Sequence, residues 1–390
     1  MTLQERVESI IAAYVAENQC AGANVLVRRH GKEVLYAEHG MASIEEGRPI
    51  QRDSIFRLYS QTKPITAAAV MILAERGLID LMDGVDRYLP GFCNPQIVDA
   101  QGNLTRAPRA PWLMELLGMT AGLCYPAGDP AGQCAARVFE EAHDAIRRGG
   151  GIPTVEFMNR LGEQPLAFQP GSHWRYSTCA DVLGAVVEVV SGKKFGDFLR
   201  EEILEPLEMK DTAFWVPPEK LGRFVTCYVR RKDGLTPWLD MNLACGVYDR
   251  EPAFESGGAG LVSTLEDYSH FADMMMNSGV WQGKRILSPQ SVAFLTAPQL
   301  NDAVRRDMWD SLNGYSYGKL CRVCVEPGQV AGLALEGEYG WDGWLGAYYA
   351  NFPREGLTIL SMQNTTDMGT SPMVRRVRNA VLAALSRGEI

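Results

Sequence analysis

The sequence predicts an α+β protein. We expect an antiparallel sheet, flanked by helices and built from both ends of the chain, with a mostly helical domain inserted. Three observations favour this fold: a strand hairpin follows the first helix, strand patterns return only after residue 255, and the segment between them reads as helices and Pro/Gly-rich loops. We therefore assign residues 1–85 and 251–390 to the sheet domain and residues 86–250 to the helical domain. The functional site is expected in the cleft between them.

Bulk composition limits the function classes. The chain has 390 residues, 46% of them hydrophobic and 22% charged, and a formal net charge of −9. An acidic chain without a basic run is a poor ligand for nucleic acid or an anionic membrane, so we expect neither as a partner. Nine cysteines, an odd number without an obvious framework, fit reduced thiols and a cytoplasmic location. The oligomeric state is left open.

The elements follow from local patterns. Apolar residues at helical spacing make the N-terminus an amphipathic helix instead of a signal peptide, and two strands joined at positions 29–32 form the hairpin. Clear helices in the middle are "TVEFMNRLGE", "ADVLGAVVEVVSG" and "FGDFLREEILEPL", and "PAGDPAGQ" and "RRGGGIP" are interpreted as loops. Near the C-terminus, "LEDYSHFADMMMNSG" and "MVRRVRNAVLAALSRG" predict helices, whereas "AYYANFP" and "LTILSMQN" predict strands.

The stretch "FRLYSQTKPITAAAVMILAERG" places Ser60 one helical turn before Lys63, at the start of an apolar helix. Residues i and i+3 share a helix face, and Pro64 belongs in a first turn, so the helix should begin near Ser60. Serine is a weak nucleophile that needs a base, and a lysine can be that base when burial lowers its pKa. The backbone N–H of Ser60 would be free to bind an oxyanion.

Two further S-x-x-K copies serve as internal controls. Ser191/Lys194 lies at a helix C-terminus, and Ser316/Lys319 lies in a Tyr- and Gly-rich loop or strand. The chain has no G-x-S-x-G elbow, and its histidines do not have metal-ligand spacing, so no metal and no organic cofactor is expected. The single C-x-x-C at Cys321 and Cys324 is an unpaired motif. Among the histidines only His173, close to Tyr176, merits a test.

With these residues placed, the chain resembles the serine β-lactamase/penicillin-binding-protein superfamily, and more narrowly the class C-like (family VIII) carboxylesterases and related acyltransferases. The resemblance is carried in order by "SIFRLYSQTKPITAAAVMILAERG", "MELLGMTAGLCY", "FQPGSHWRYSTCADVLGAVVEVVSG", "FESGGAGLVSTLEDYSHFADMM" and "YGWDGWLGAYYANFP". It spans nearly the whole chain and implies a β-lactamase/transpeptidase-like fold.

The second family motif, Tyr-x-Asn or Tyr-Ser-x, corresponds to Tyr176-Ser177-Thr178. The resemblance implies that the Tyr176 phenol, with a lowered pKa beside a lysine, shares the serine proton with Lys63. Thr178 replaces the asparagine amide that contacts β-lactams, which weakens the case for those substrates. A literal Tyr-x-Asn at Tyr349–Asn351 falls within a predicted strand and is interpreted as sheet.

The third motif, Lys-Thr-Gly in β-lactamases, corresponds to Trp341-Asp342-Gly343. The resemblance implies that the backbone N–H groups of Ser60 and Trp344 form the oxyanion hole, and that Tyr125, Trp341, Asp342 and Gly343 line the substrate pocket. Loss of the motif lysine removes a cation that would hold a substrate carboxylate. We therefore expect neutral esters to be preferred to penicillins or D-Ala-D-Ala peptides.

These observations predict a carboxylesterase-type serine hydrolase that acts on a small ester or acyl substrate through an acyl-enzyme, with catalytic residues Ser60, Lys63 and Tyr176. An acyltransferase would use the same residues with an alcohol or amine acceptor. A D-specific amidase or peptidase remains an alternative, as does an inactive β-lactamase-like fold kept for binding. A β-lactamase or cell-wall enzyme is disfavoured, because the third motif lacks its lysine and a signal peptide is not expected.

Overall fold

A computed structural model describes all 390 residues. Its main sheet contains eight strands, each antiparallel to its neighbours. In spatial order they are β12 (Tyr315–Tyr317), β13 (Arg322–Cys324), β14 (Tyr339–Asp342), β15 (Tyr348–Phe352), β16 (Leu357–Gln363), β1 (Gly22–Arg29), β2 (Lys32–Ser43) and β3 (Arg48–Pro49). Strand β1 pairs with β16, so the sheet joins the two ends of the chain and the predicted fold class is confirmed.

Eleven α-helices accompany this sheet. In chain order they are α1 (Leu3–Ala16), α2 (Lys63–Glu75), α3 (Leu113–Leu117), α4 (Pro130–Arg147), α5 (Thr154–Gly162), α6 (Cys179–Ser191), α7 (Phe195–Leu199), α8 (Leu265–Met276), α9 (Pro289–Leu295), α10 (Asp302–Arg305) and α11 (Pro372–Ser386). None of them is both long and apolar enough to cross a lipid bilayer.

The remaining strands form four two-stranded antiparallel pairs. They are β4 (Phe56–Arg57) with β9 (Val262–Ser263), β5 (Gln96–Val98) with β6 (Leu104–Arg106), β7 (Tyr228–Arg231) with β8 (Gly234–Pro237), and β10 (Val280–Trp281) with β11 (Lys284–Arg285). The first pair positions the site, because it ties the chain just before Ser60 to the segment just before α8.

Both faces of the main sheet are covered by helices. Alternate residues of β1 point to opposite faces, so Val25 and Val27 pack in a core with α1 and α11, whereas Leu26 packs in a larger core that includes α2 and α8. A strand buried on both faces reads as a continuous apolar run, which explains why β1 lacks a polar alternation.

Several helices begin at a side-chain cap, and the start of α4 corrects a prediction made from the sequence. Asp129 accepts a hydrogen bond from the Gly132 amide, and Pro130 occupies the first turn, so α4 begins inside "PAGDPAGQ". The second half of that stretch is therefore helix, and its interpretation as a loop was wrong. Proline and glycine there mark a helix start instead of an irregular connection.

The segment between the two halves of the sheet contains helices α3 to α7 and two small strand pairs. Its later part also contacts the sheet region, through single bridges from Phe224 to Ile55 and from Tyr228 to Thr365. One hydrophobic core of 79 buried residues runs through the helical segment and one face of the sheet. The division into domains at residues 85 and 250 stays a prediction.

Candidate active site

Ser60 lies on a tight turn immediately before α2. A 3₁₀ turn at Tyr59–Thr62 leads into the helix at Lys63, and Pro64 lies in its first turn. Tyr59, just before the serine, has φ +46°, a left-handed conformation that is costly for a tyrosine and is enriched at functional sites. The turn leaves Ser60 partly exposed, whereas Lys63 is fully buried beneath it.

The Lys63 amine is held by three oxygen atoms. Nζ lies 3.1 Å from Ser60 Oγ, 3.2 Å from Tyr125 Oη and 2.8 Å from the carbonyl oxygen of Gly258. Burial lowers the pKa of Lys63 to about 7, against an ordinary value of 10.5. An amine with that pKa is available as a proton acceptor at neutral pH, and it lies within hydrogen-bonding reach of the serine hydroxyl.

Asp181, in the first turn of α6, is the acidic residue with the largest electrostatic effect on the pKa of Lys63. Its carboxylate is buried, accepts hydrogen bonds from Ser256 Oγ at 2.5 Å and from the Gly258 amide at 3.0 Å, and opposes the lowering of the Lys63 pKa. Desolvation raises the pKa of Asp181 itself, and the lysine counteracts that rise. Sequence reasoning missed this residue, although it lies five positions after Tyr176 within the quoted second-motif region.

The Tyr176 ring lies against the lysine. Lys63 Nζ is 4.5 Å from the ring centroid, and Trp341 Nε1 donates a hydrogen bond to the Tyr176 hydroxyl at 3.0 Å. Desolvation raises the pKa of Tyr176, and contacts with Ser60 and Trp341 only partly oppose the rise. The expectation of a lowered phenol pKa was therefore wrong: in this site the lysine has the depressed pKa, and the tyrosine is a neutral hydroxyl.

Tyr125 does more than line the pocket, because it contacts Lys63 directly. Its hydroxyl contacts Lys63, and its ring centroid lies 5.9 Å from that of Tyr176. Desolvation also raises the pKa of Tyr125 well above its ordinary value. The lysine amine is thus contacted by two neutral tyrosines, one through a hydroxyl and one through a ring face.

Strand β14 and the turn after it form the opposite wall. A Cβ atom at Gly343 would lie 2.1 Å from the carbonyl oxygen of Leu58, so only glycine permits this close approach to the turn that carries Ser60. The next residue, Trp344, donates its indole N–H to Asp367. The backbone N–H groups of Ser60 and Trp344 donate no hydrogen bond in a turn, loop or cap. Both are therefore available to a ligand in the cleft.

One cleft of about 750 Å³ contains this arrangement. Its lining includes every predicted site residue except Lys63, which lies beneath its surface: Ser60, Tyr125, Tyr176, Trp341, Asp342, Gly343 and Trp344. Trp309, which sequence reasoning missed, packs edge-on against Tyr176 at 5.0 Å and is about half-exposed at the mouth. No local sequence signal identifies it, because it approaches from a distant loop.

The remaining candidate residues from the sequence lie outside this cleft. His173 pairs with Asp307 at 3.0 Å, is largely exposed, and does not contact the serine, lysine or Tyr176. Lys194 of the second S-x-x-K pairs with Glu251, and Lys319 of the third contacts the Ala297 carbonyl oxygen at 3.4 Å. No group of three or more His, Cys, Asp and Glu side chains is arranged to hold a metal ion.

Comparisons with known proteins show the family of this chain. A profile of the Beta-lactamase family matches residues 7–384. Esterase EstB of Burkholderia gladioli is 32% identical over 409 residues, covering 98% of this chain and 96% of the relative. The structure of EstCE1, described as a hydrolase with promiscuous acyltransferase activity, has a TM-score of 0.80 at 25% identity, covering 97% of this chain and 98% of that one.

A third comparison shows the fold alone. Unliganded simvastatin synthase (LovD) of Aspergillus terreus has a TM-score of 0.81 at 22% identity and covers 99% of each chain. The chain belongs to the Beta-lactamase family, within the serine β-lactamase/penicillin-binding-protein superfamily of serine hydrolases and acyltransferases. Family VIII carboxylesterases and acyltransferases are among its structural neighbours.

Proposed function

We propose that this protein hydrolyses carboxylic esters through a covalent acyl-serine intermediate, with Ser60 as nucleophile and Lys63 as its general base. One observation carries the proposal: the buried Lys63 amine, with a pKa lowered to about 7, lies 3.1 Å from the Ser60 hydroxyl. The relationship to an esterase over 98% of the chain favours ester substrates.

The acylation step follows from these positions. Ser60 Oγ attacks the ester carbonyl carbon, and its proton passes to the neutral Lys63 amine. The amides of Ser60 and Trp344 donate to the developing oxyanion, a contribution worth about 3 kcal/mol per donor at comparable sites. The bond to the alcohol oxygen then breaks. The neutral Tyr176 hydroxyl protonates the departing alkoxide, and the Lys63 ammonium restores the phenol.

Deacylation repeats the sequence with water. A water molecule attacks the acyl carbon and loses a proton to Lys63, and the acid leaves as Ser60 recovers its proton. The Trp341 hydrogen bond fixes the Tyr176 hydroxyl throughout, and Tyr125 together with the Gly258 carbonyl fixes the amine. Lys63 thus alternates between proton acceptor and donor without needing a histidine.

The test is hydrolysis of a short 4-nitrophenyl ester by matched serine variants. Ser60→Ala is expected to lower kcat by at least about 10³-fold, because the acyl-enzyme can no longer form. Ser191→Ala is the matched control, since it removes the serine of another S-x-x-K at the end of α6. Near-normal turnover by Ser60→Ala would show that a different residue is the nucleophile.

Acyl transfer is a second candidate function, favoured by the EstCE1 comparison, because that hydrolase is described as having acyltransferase activity. The cleft of about 750 Å³ is large enough for an acyl group and an acceptor together. Partitioning of the acyl-enzyme between water and added alcohols or amines separates the two functions. If the free acid is the only product at acceptor concentrations that saturate other acyltransferases, hydrolysis is the sole activity.

A further inference from the structure

An arginine-rich wall forms part of the cleft, away from the nucleophile. We define this wall as Tyr315, Arg322 and Arg378, which all line the cavity that holds Ser60. Arg322 lies on β13 and Arg378 on α11, and only 2% and 5% of their surfaces are exposed. Buried guanidinium groups are costly unless they are paired, so their partners decide what this wall does.

Arg378 has a buried counter-ion. Its Nη2 lies 2.9 Å from Glu338 Oε2, and its Nη1 donates to the Tyr315 hydroxyl at 2.9 Å. That hydroxyl donates in turn to Glu338 Oε1 at 2.9 Å. Both oxygens of the single buried carboxylate of this cluster are therefore already hydrogen-bonded, one to Arg378 and one to Tyr315.

Arg322 has no counter-ion; its guanidinium carbon lies 4.9 Å from the ring centroid of Tyr348 and 5.7 Å from that of Tyr315. It makes no ion pair within 4.0 Å, and its single hydrogen bond is a long one of 3.4 Å from Nη2 to the Tyr349 carbonyl oxygen. Its Nη1, the Nε of Arg378 and the hydroxyl of Tyr348 are buried polar groups without a hydrogen-bond partner. The Tyr348 hydroxyl is also able to accept, but the two guanidinium groups only donate and share one buried carboxylate, Glu338, so the cluster has a surplus of guanidinium donors and of positive charge.

One acidic side chain competes for this charge. Asp342 lines the same cleft and influences Arg322 electrostatically, but its carboxylate accepts a hydrogen bond from Thr370 Oγ1 and is only partly buried. An anionic group bound in the cleft would be attracted by Arg322 and repelled by Asp342. Removing the Asp342 carboxylate should therefore strengthen anion binding, and this effect can be measured.

We propose that the arginine wall recognises a carboxylate carried by the substrate, so that the preferred esters are those with one free carboxylate. This inference rests on the proposed function, because it names the substrate class of the same cleft. It also reverses the expectation of neutral esters, which considered only the missing lysine of the third motif. The cation is instead supplied from β13, a strand that sequence reasoning did not connect with the site.

The experiment compares charged esters with matched neutral ones. One pair carries the carboxylate on the alcohol, 4-acetoxybenzoate against its methyl ester, and the other carries it on the acyl group, mono(4-nitrophenyl) adipate against its methyl ester. Arg322→Met is expected to lower the charged-to-neutral ratio of kcat/KM at least about tenfold in one pair. Asp342→Asn is expected to raise that ratio in the same pair. Unchanged ratios in both pairs would overturn the proposal.

A binding measurement separates this inference from the proposed function. Calorimetry on Ser60→Ala, which needs no turnover, compares 4-hydroxybenzoate and monomethyl adipate with their neutral methyl esters. We expect at least one anion to bind at least about tenfold tighter than its ester, and Arg322→Met or Arg322→Lys in the Ser60→Ala background to reduce that difference. Equal affinities for anion and ester in both pairs would overturn the proposal even if Ser60 proves to be the nucleophile.

Discussion

The pH dependence of turnover is the most quantitative consequence of the buried lysine. If Lys63 is the general base, the active form of the free enzyme carries a neutral amine, and its pKa of about 7 sets the fraction present. About one enzyme in ten is active at pH 6, about half at pH 7 and about nine in ten at pH 8. We therefore expect kcat/KM to rise about tenfold from pH 6 to 8 and then level off.

Asp181 supplies a matched perturbation of this profile. Its carboxylate favours the protonated lysine, so removing the charge should lower the Lys63 pKa and shift the whole profile toward acid pH. For Asp181→Asn we expect a shift of about one pH unit, which corresponds to about 1.4 kcal/mol of interaction between the two charges.

The assay is initial-rate hydrolysis of a pH-insensitive alkyl ester from pH 5.5 to 9.5, with acid release followed directly. A profile that climbs tenfold per unit through pH 9 would mean that Lys63 titrates near its ordinary pKa of 10.5, and a flat profile would remove it as the base. An Asp181→Asn profile displaced toward alkaline pH would refute the sign of the proposed interaction.

Three further outcomes follow from the site. Lys63→Met should abolish turnover yet raise the free energy of unfolding by about 2 kcal/mol at pH 6. Burial of the ammonium costs up to about 5 kcal/mol, and the lost hydrogen bonds of the lysine offset part of the gain from removing it. The gain, measured by urea unfolding, should shrink between pH 7 and 10.5, where the unfolded chain still binds the lysine proton and the folded wild-type protein does not. Gly343→Ala should lower kcat at least about tenfold because its Cβ would press on Leu58. Gly328→Ala, at a glycine with open space around it and no left-handed backbone, should not, and equal effects would contradict the proposed close approach. Tyr176→Phe should lower kcat/KM about 10²-fold or more for an alkyl ester and less for a 4-nitrophenyl ester, whose leaving group needs no proton, and an equal loss for both would exclude proton donation.

Local patterns predicted the parts of the fold that depend on local physics. The hairpin at positions 29–32, the helix after Ser60 and the closing helix all carry clear periodicity, and the structure contains each of them. The start of α4 was missed because Asp129 caps a helix whose first turn contains Pro130 and Gly132, residues that otherwise mark loops. Capping geometry decided the outcome there, and composition alone does not reveal it.

The site was predictable where its residues are close in sequence or belong to recognisable motifs. Ser60, Lys63 and Tyr176 were named from the sequence, and the structure brings them together. Asp181 and the Arg322 wall were not named, since their effects arise from burial and from partners far along the chain. The direction of the Tyr176 pKa shift was wrong for the same reason: desolvation depends on everything packed around the hydroxyl.

The central claim is that Ser60 becomes acylated during turnover. The most direct measurement is intact-mass analysis of the enzyme after rapid acid quench from a panel of esters, followed by mapping of the modified peptide. We expect a mass increase equal to one acyl group, located on the peptide that contains Ser60, and no such increase in Ser60→Ala. An acyl group on a different residue, or active enzyme that never shows the increase at any quench time, would contradict the account.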